Sequence, residues 1–176
     1  MVIENFFLAL AIYGKPMSYN TPEPDKDAKI FTSDDIMEIL NVHSSFHFNK
    51  GDSSFFTQHG PTSYSYWART FSLSEEETEE LDDDNDEAVS TLFKKLKDFF
   101  EDNNITKAQF EKINHEFDLE RKCNITLFVP RYINGTIFEI KTEDLQFMAN
   151  HNLNFNYLEL TEDQIEKLKN VYTKTT

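Results

Sequence analysis

The chain reads as an α+β protein: a single domain with a mainly antiparallel sheet and helices packed on one face. Apolar residues alternate with a period of two in several short runs and switch to helical spacing between them. The order of these runs is strand, helix, strands, helix pair, strands, helix, strand, helix, which suits a layered α+β arrangement. At 176 residues, with no internal repeat, one domain over 1–176 is the expectation. Hydrophobic residues make up only 39%, but 17 Phe, 7 Tyr and 1 Trp bury a large area each and supply a core.

Ile3–Tyr13 is apolar on both faces, as a central strand is. Residues 15–30 are polar and hold Pro16, Pro22 and Pro24, so they read as a loop. Thr32 precedes Ser33, Asp34 and Asp35, and this hydroxyl with acids in the first turn starts a short helix through Ile36, Ile39 and Leu40. Phe46–Phe48 is a short extended piece, and Lys50-Gly51-Asp52 is a turn. Ser63–Leu73 alternates: Trp67, Phe71 and Leu73 share one face with Arg69 discordant among them, and Tyr64 and Tyr66 point the other way.

The strongest helix follows. Val89, Leu92, Phe93, Leu96, Phe99 and Phe100 form one apolar stripe, with Lys94, Lys95 and Lys97 set to complement the dipole. Asn103-Asn104 ends it. Thr106 and Gln109 form a capping box for a second helix that buries Phe110, Ile113 and Phe117. Cys123, Ile125, Leu127 and Val129 occupy one face of a strand closed by Pro130. Asn134-Gly135 is a turn signal leading to a strand over Thr136–Ile140. Thr142 is placed to cap a helix carrying Leu145, Met148 and Ala149. Leu153–Leu160 is a strand, and a helix over 161–176 opens with a Thr161/Gln164 capping box.

The charge is lopsided. Thirty-two Asp+Glu against 17 Lys+Arg give a net charge of -15, and residues 74–87 read as an acidic loop. Ten of its residues are acidic: Glu75, Glu76, Glu77, Glu79, Glu80, Asp82, Asp83, Asp84, Asp86 and Glu87. Such a surface repels phosphate, which argues against nucleic acid as a partner, and attracts a basic protein. The bland alternative is a solvated, solubilising face.

Short motifs through the chain resemble the bacterial domain-of-unknown-function family 4279. They are the helix Ser33–Val42, the Lys50-Gly51-Asp52 turn, Phe71-Ser72-Leu73-Ser74, and the tail with Phe138-Glu139-Ile140, Leu145 and Leu153–Tyr157. The resemblance covers most of residues 3–160. The Pro-containing loop, the acidic loop and the closing helix depart from the family pattern. It implies no activity and no catalytic residues, because the family offers none; some of its members occur as immunity proteins in bacterial toxin systems.

No catalytic constellation stands beside the charge. Asp82-x-Asp84-x-Asp86 imitates the start of a calcium loop, but Glu87 and Phe93 stand where that loop needs Gly and Glu. His43 and His47 have helical metal spacing in a segment that does not read as helix. Gly51-Asp52-Ser53-Ser54 lacks the histidine and acid a serine nucleophile needs, although His59, His115 and His151 exist elsewhere. Cys123, the single cysteine, sits on an apolar face and reads as core; one cysteine permits no internal disulfide. No glycine-rich phosphate loop is present. Neither cofactor nor metal is expected.

The N-terminal apolar run has Glu4 where a secretory signal is basic, and no run reaches the ~18 apolar residues of a membrane span. A cytoplasmic protein without a membrane partner is therefore expected. The leading expectation is a non-enzymatic immunity protein. It occludes a cognate cytoplasm-acting toxin, best a nuclease with a basic cleft, through the carboxylates of Glu75–Glu87, with Tyr64 and Tyr66 as exposed anchors. An acidic nucleic-acid mimic and a small enzyme stand as alternatives.

Overall fold

The computed structural model describes residues 6–15, 29–52, 62–81, 84–131, 138–161 and 163–167. Phe7–Tyr13, apolar on both faces, forms β1 and lies at the centre of a five-stranded sheet. It pairs antiparallel with β3 (Tyr66–Ser72) on one side and β4 (Asn124–Pro130) on the other. A short β2 (Phe46–Phe48) pairs antiparallel outside β3, and β5 (Asn154–Leu160) runs parallel to β4, giving the order β2-β3-β1-β4-β5. The parallel pair requires a crossover, supplied by helix α5 (Thr142–Asn150).

The remaining helices are α1 (Ser33–Leu40), α2 (Glu75–Glu80), α3 (Asn85–Asp102) and α4 (Lys107–Glu116). Local chemistry sets their ends. The Thr32 hydroxyl and Asp35 carboxylate cap α1 reciprocally, and Asn41 leaves it in the left-handed region at φ 56°. The Thr106 N–H donates to Gln109 Oε1 at 2.7 Å to open α4. The Thr161 N–H donates to Gln164 Oε1 at 2.9 Å ahead of the helical turn over 163–167.

The main core lies between the sheet and the helices. Leu8, Leu10 and Ile12 of β1, Trp67 of β3 and Ile125, Leu127 and Val129 of β4 pack under Ile36, Leu92, Phe93, Phe110 and Met148 from the helices. The α+β architecture with a mainly antiparallel sheet is therefore the one the sequence predicts. The other sheet face carries two smaller clusters. Phe7 and Phe128 stack at 4.4 Å beside Leu160 and Ile165, so the turn over 163–167 is an addition on the side opposite the other helices. Ala11, Phe48, Tyr66 and Ala68 form the second cluster.

Several local expectations are corrected. Glu75–Glu80 is a helix rather than part of a loop, because the Ser74 hydroxyl and Glu77 carboxylate form a capping box. Phe138–Ile140 lie outside any strand, and the start of that expected strand falls outside the described residues. The N-cap of α5 is Lys141, with Thr142 already inside the helix. The buried side of α5 carries Asp144 and Met148, while Leu145 is 48% exposed and Ala149 is exposed. The helix is turned by about one position from its expected setting, because Asp144 meets Lys97 of α3. The last turn of α3 holds no basic residue; Lys95 and Lys97 form cross-element ion pairs instead of complementing the dipole.

Candidate functional site

The acidic segment links β3 to α3, and the structure divides its carboxylates into two groups. The first group is structural. The Ser74 N–H donates to Glu77 Oε2 at 2.7 Å, and the Glu77 N–H donates back to Ser74 Oγ at 3.2 Å. Lys95 Nζ donates to the same Glu77 oxygen at 2.6 Å and to the Ser72 carbonyl at 2.9 Å, pinning α2 to α3 and to the end of β3. Burial pushes the Glu77 carboxyl up, but the hydrogen bonds from Lys95 and Ser74 outweigh it and hold the group below the usual carboxylate range. Asp84 is the N-cap of α3: its Oδ1 accepts from the N–H groups of Asp86 at 3.0 Å and Glu87 at 3.1 Å. Asp86 in turn accepts the Glu139 N–H at 2.6 Å and ties down the segment before α5.

The second group is outward. Glu75, Glu76, Glu79, Glu80 and Glu87 are exposed, with no hydrogen-bond or ion-pair partner among the described residues. Asp82 and Asp83 lie outside the described residues. Behind α2, a cleft of about 290 Å³ is lined by Glu77, Glu80, Leu81, Thr91, Lys94, Lys95 and Asp98. Its two lysines match Glu77 and Asp98, while Glu80, exposed at its rim, adds to the uncompensated outward charge of Glu75, Glu76, Glu79 and Glu87.

Tyr64 and Tyr66 do not join this surface. Tyr66 is 7% exposed, and its ring lies 5.5 Å from Phe48 and 4.9 Å from Tyr13. Tyr64 is half-buried, edge-on to Phe48 at 5.3 Å. Tyr66 opens β3 on the face away from the helices, while α2 begins beyond Ser72 at the other end of the strand. Six strand steps, roughly 20 Å, separate the two. Alternation in the sequence placed both tyrosines on the face opposite Trp67; it did not reveal that Phe46 and Phe48 pack against that face.

These tyrosines belong to a polar seam on the second sheet face. Burial pushes the Tyr13 phenol up, against hydrogen bonds to Tyr66 and Thr126 and the charge of Arg121, whose guanidinium lies 4.7 Å over the Tyr13 ring. Burial likewise raises Tyr64, with Tyr13 and Glu120 adding to the effect. Thr126 Oγ1 donates to Asn124 Oδ1 at 2.8 Å, and Asn124 Nδ2 donates to the Ala11 carbonyl at 3.2 Å. Burial therefore keeps both phenols protonated at neutral pH.

The remaining candidates take structural places. Asp84 and Asp86 open a helix rather than a calcium loop. His43 and His47 are exposed on the α1–β2 connection and β2, with His47 Nδ1 2.8 Å from Ser44 Oγ. Among the described residues, no group of three or more His, Cys, Asp or Glu is placed to hold a metal ion. Gly51 sits at φ 94° in a turn where Asp52 accepts the Asn49 N–H at 2.8 Å; Ser53, Ser54 and His59 lie outside the described residues. Cys123 is fully buried, and desolvation pushes its thiol up to about 12, which makes it a core residue and a poor nucleophile. Arg69, discordant in the sequence, places its guanidinium 5.3 Å over the Phe99 ring on the helix side of β3.

Two contributors had no clear sequence signal. Lys95 reads as an ordinary mid-helix lysine, and its role depends on the end of β3 arriving beside it. Asp144 is 2% exposed, buried because Lys97 of α3 reaches it.

Fold and site together define a single-domain α+β protein with an acidic helical connection on one side of its sheet. No family model matches the chain, and neither a curated protein nor a solved structure matches it.

Proposed function

We propose that this protein is a non-enzymatic binding inhibitor: an immunity protein that occludes a basic, nuclease-like toxin acting in the cytoplasm. The observation that carries the reading is the outward group of five carboxylates, Glu75, Glu76, Glu79, Glu80 and Glu87. They are exposed and unpaired among the described residues, on a connection held in place by Glu77, Asp84 and Asp86. A pinned acidic helix loses little freedom when a cationic cleft closes on it, so more of the Coulombic gain appears as affinity. Without Tyr64 and Tyr66 as anchors, the contact rests on charge and on the shape of α2 and the first turn of α3. The motif resemblance to family 4279, with its immunity-protein members, points to the same class. Among the described residues, no helix is long and apolar enough to cross a membrane.

The test is co-purification of partners from the protein's own cell at low salt, followed by association kinetics with the captured partner. The association rate should fall at least about tenfold between 50 and 300 mM NaCl. Replacing the five outward glutamates by glutamine should weaken the complex while leaving the melting temperature near that of the parent. Protection and binding that survive this replacement would sink the reading.

A further inference from the structure

Among the described residues, the strand β5 is an edge without lysine, proline, a bulge or a covering element. It is the last strand of the sheet, and among the described residues nothing pairs with its outer side. Natural edges are blunted by lysine, proline, bulges or a covering element. Asn154–Leu160 contains no lysine and no proline, and its seven residues pair with β4 in unbroken register. Tyr157 is 56% exposed and Leu158 48% exposed, two of the most exposed large hydrophobic side chains in the described structure.

The direction of the unpaired groups follows from two hydrogen bonds. The Asn154 N–H donates to the Cys123 carbonyl at 3.1 Å, and the Arg131 N–H donates to the Leu160 carbonyl at 2.8 Å. Main-chain groups alternate sides along a strand, so 154, 156, 158 and 160 face β4. The N–H and C=O of Phe155, Tyr157 and Glu159 therefore face outward, as three donors and three acceptors in a row.

We infer that β5 is the pairing edge of a homodimer, in which two copies join antiparallel about a two-fold axis at Tyr157 to form one continuous ten-stranded sheet. This register matches every outward residue of one strand to one of the other: Tyr157 to its own copy, Phe155 to Glu159, and Glu159 to Phe155. Each match exchanges two main-chain hydrogen bonds. It brings no two carboxylates opposite each other, because the Glu159 of one copy meets the Phe155 of the other. Phe155 packs on the helix-side core, so Tyr157 lies on that side too, where its ring meets Phe138 edge-on at 6.0 Å. The dimer stacks this pair against its symmetry mate. On the other face Leu158 lies beside Asn156 of the second copy.

Charge favours a copy of this chain over a basic peptide as the occupant. Glu159 is the one charged residue among the seven of β5, in a chain whose overall charged content is 28%. A nearly neutral edge in so acidic a protein suits a partner of equal charge. Two-fold pairing also closes the sheet at two copies instead of propagating. Overall repulsion between the copies remains, so added salt should strengthen this association, opposite to its expected effect on the basic partner proposed above.

Sedimentation of the full chain across micromolar to near-millimolar concentration, at 0.15 and 0.5 M NaCl, reads the oligomer directly. A concentration-dependent dimer that tightens with salt is expected. Tyr157→Pro removes an N–H that faces outward and bonds to nothing among the described residues. It should shift the dimer toward monomer at least about tenfold in dissociation constant, as Tyr157→Lys also should if the proline variant does not fold.

Mild oxidation fixes the register. In Tyr157→Cys the two Cα atoms would stand about 5.5 Å apart, within disulfide range, while in Glu159→Cys they would be about 14 Å apart. The first should cross-link and the second should not; Cys123 is buried and does not compete. A chain that stays monomeric throughout, as it would if this edge awaited a strand from another protein, overturns the inference. So does a dimer indifferent to both Tyr157 variants, or cross-linking through position 159 in place of 157.

Discussion

The two helices that share the acidic segment are built on opposite principles. Helix α3 buries six residues along one stripe, including Val89, Leu92, Phe93 and Leu96. Helix α2 buries none; it is held by a capping box and by one lysine reaching across from α3. Both begin with acids near the positive end of the helix dipole, so the dipole does not separate them. The difference is burial. A six-residue helix without an apolar stripe is far below the length at which an isolated helix survives, so α2 exists only where the Ser74 and Lys95 contacts hold it. The region proposed above to meet a partner is thus one whose fold depends on electrostatics rather than on burial.

The contrast is broken most forcefully from the α3 side. Phe93→Ala empties a fully buried site between α3 and the sheet. It should cost about 3–5 kcal/mol in chemical denaturation and destabilise the whole domain cooperatively. Next comes Lys97→Met, which leaves the buried Asp144 carboxylate without its cation. Since Lys97 is itself about one-third exposed, solvent repays part of the loss, and a cost of about 1–3 kcal/mol is expected. Global loss of stability no larger than for a surface substitution would show that α5 does not depend on this pair.

On the α2 side the effects should be smaller and local. Ser74→Ala removes the cap and should cost about 1 kcal/mol, read as faster amide exchange in Glu77–Leu81 with α3 protection unchanged. The Glu77 carboxyl, held below the usual range, contributes stability that is fully present above that range. This contribution is lost as pH falls through the depressed value. Carboxyl carbon shifts followed by NMR should therefore place the Glu77 midpoint below the ordinary carboxylate range. A midpoint inside that range would mean that Lys95 does not hold Glu77 in solution. Least of all, Glu79→Gln should change stability by no more than about 0.5 kcal/mol, since the side chain is exposed and unpaired among the described residues. Under the function proposed above, its effect would appear in association instead.

Much of the fold was legible because it is written in local spacing. The α3 stripe, the central β1, the alternation of β4 and the capping boxes at Thr106 and Thr161 all lie within a few residues of the groups that satisfy them. Misplaced features depended on distant arrivals. Glu75–Glu80 reads as loop because nothing within it is apolar; its helix needs Lys95. Leu145 reads as buried by its hydrophobicity, yet Lys97 draws Asp144 inward in its place. Tyr66 reads as an exposed anchor until Phe46 and Phe48 from β2 cover it. Within the candidate site, the concentration of acids was plain in the sequence, and its division into structural and outward groups was not.

Composition and periodicity alone determined the α+β class, the core-facing residues of α3 and β4 and the excess negative charge, since these depend on residue type and spacing. Tertiary structure decided which carboxylates are tied down, which aromatics are hidden, and that β5 ends the described sheet parallel to β4 with the main-chain groups of Phe155, Tyr157 and Glu159 turned away from β4. Those outcomes depend on which strand neighbours which, and strand order arises from the competition of all elements for one core.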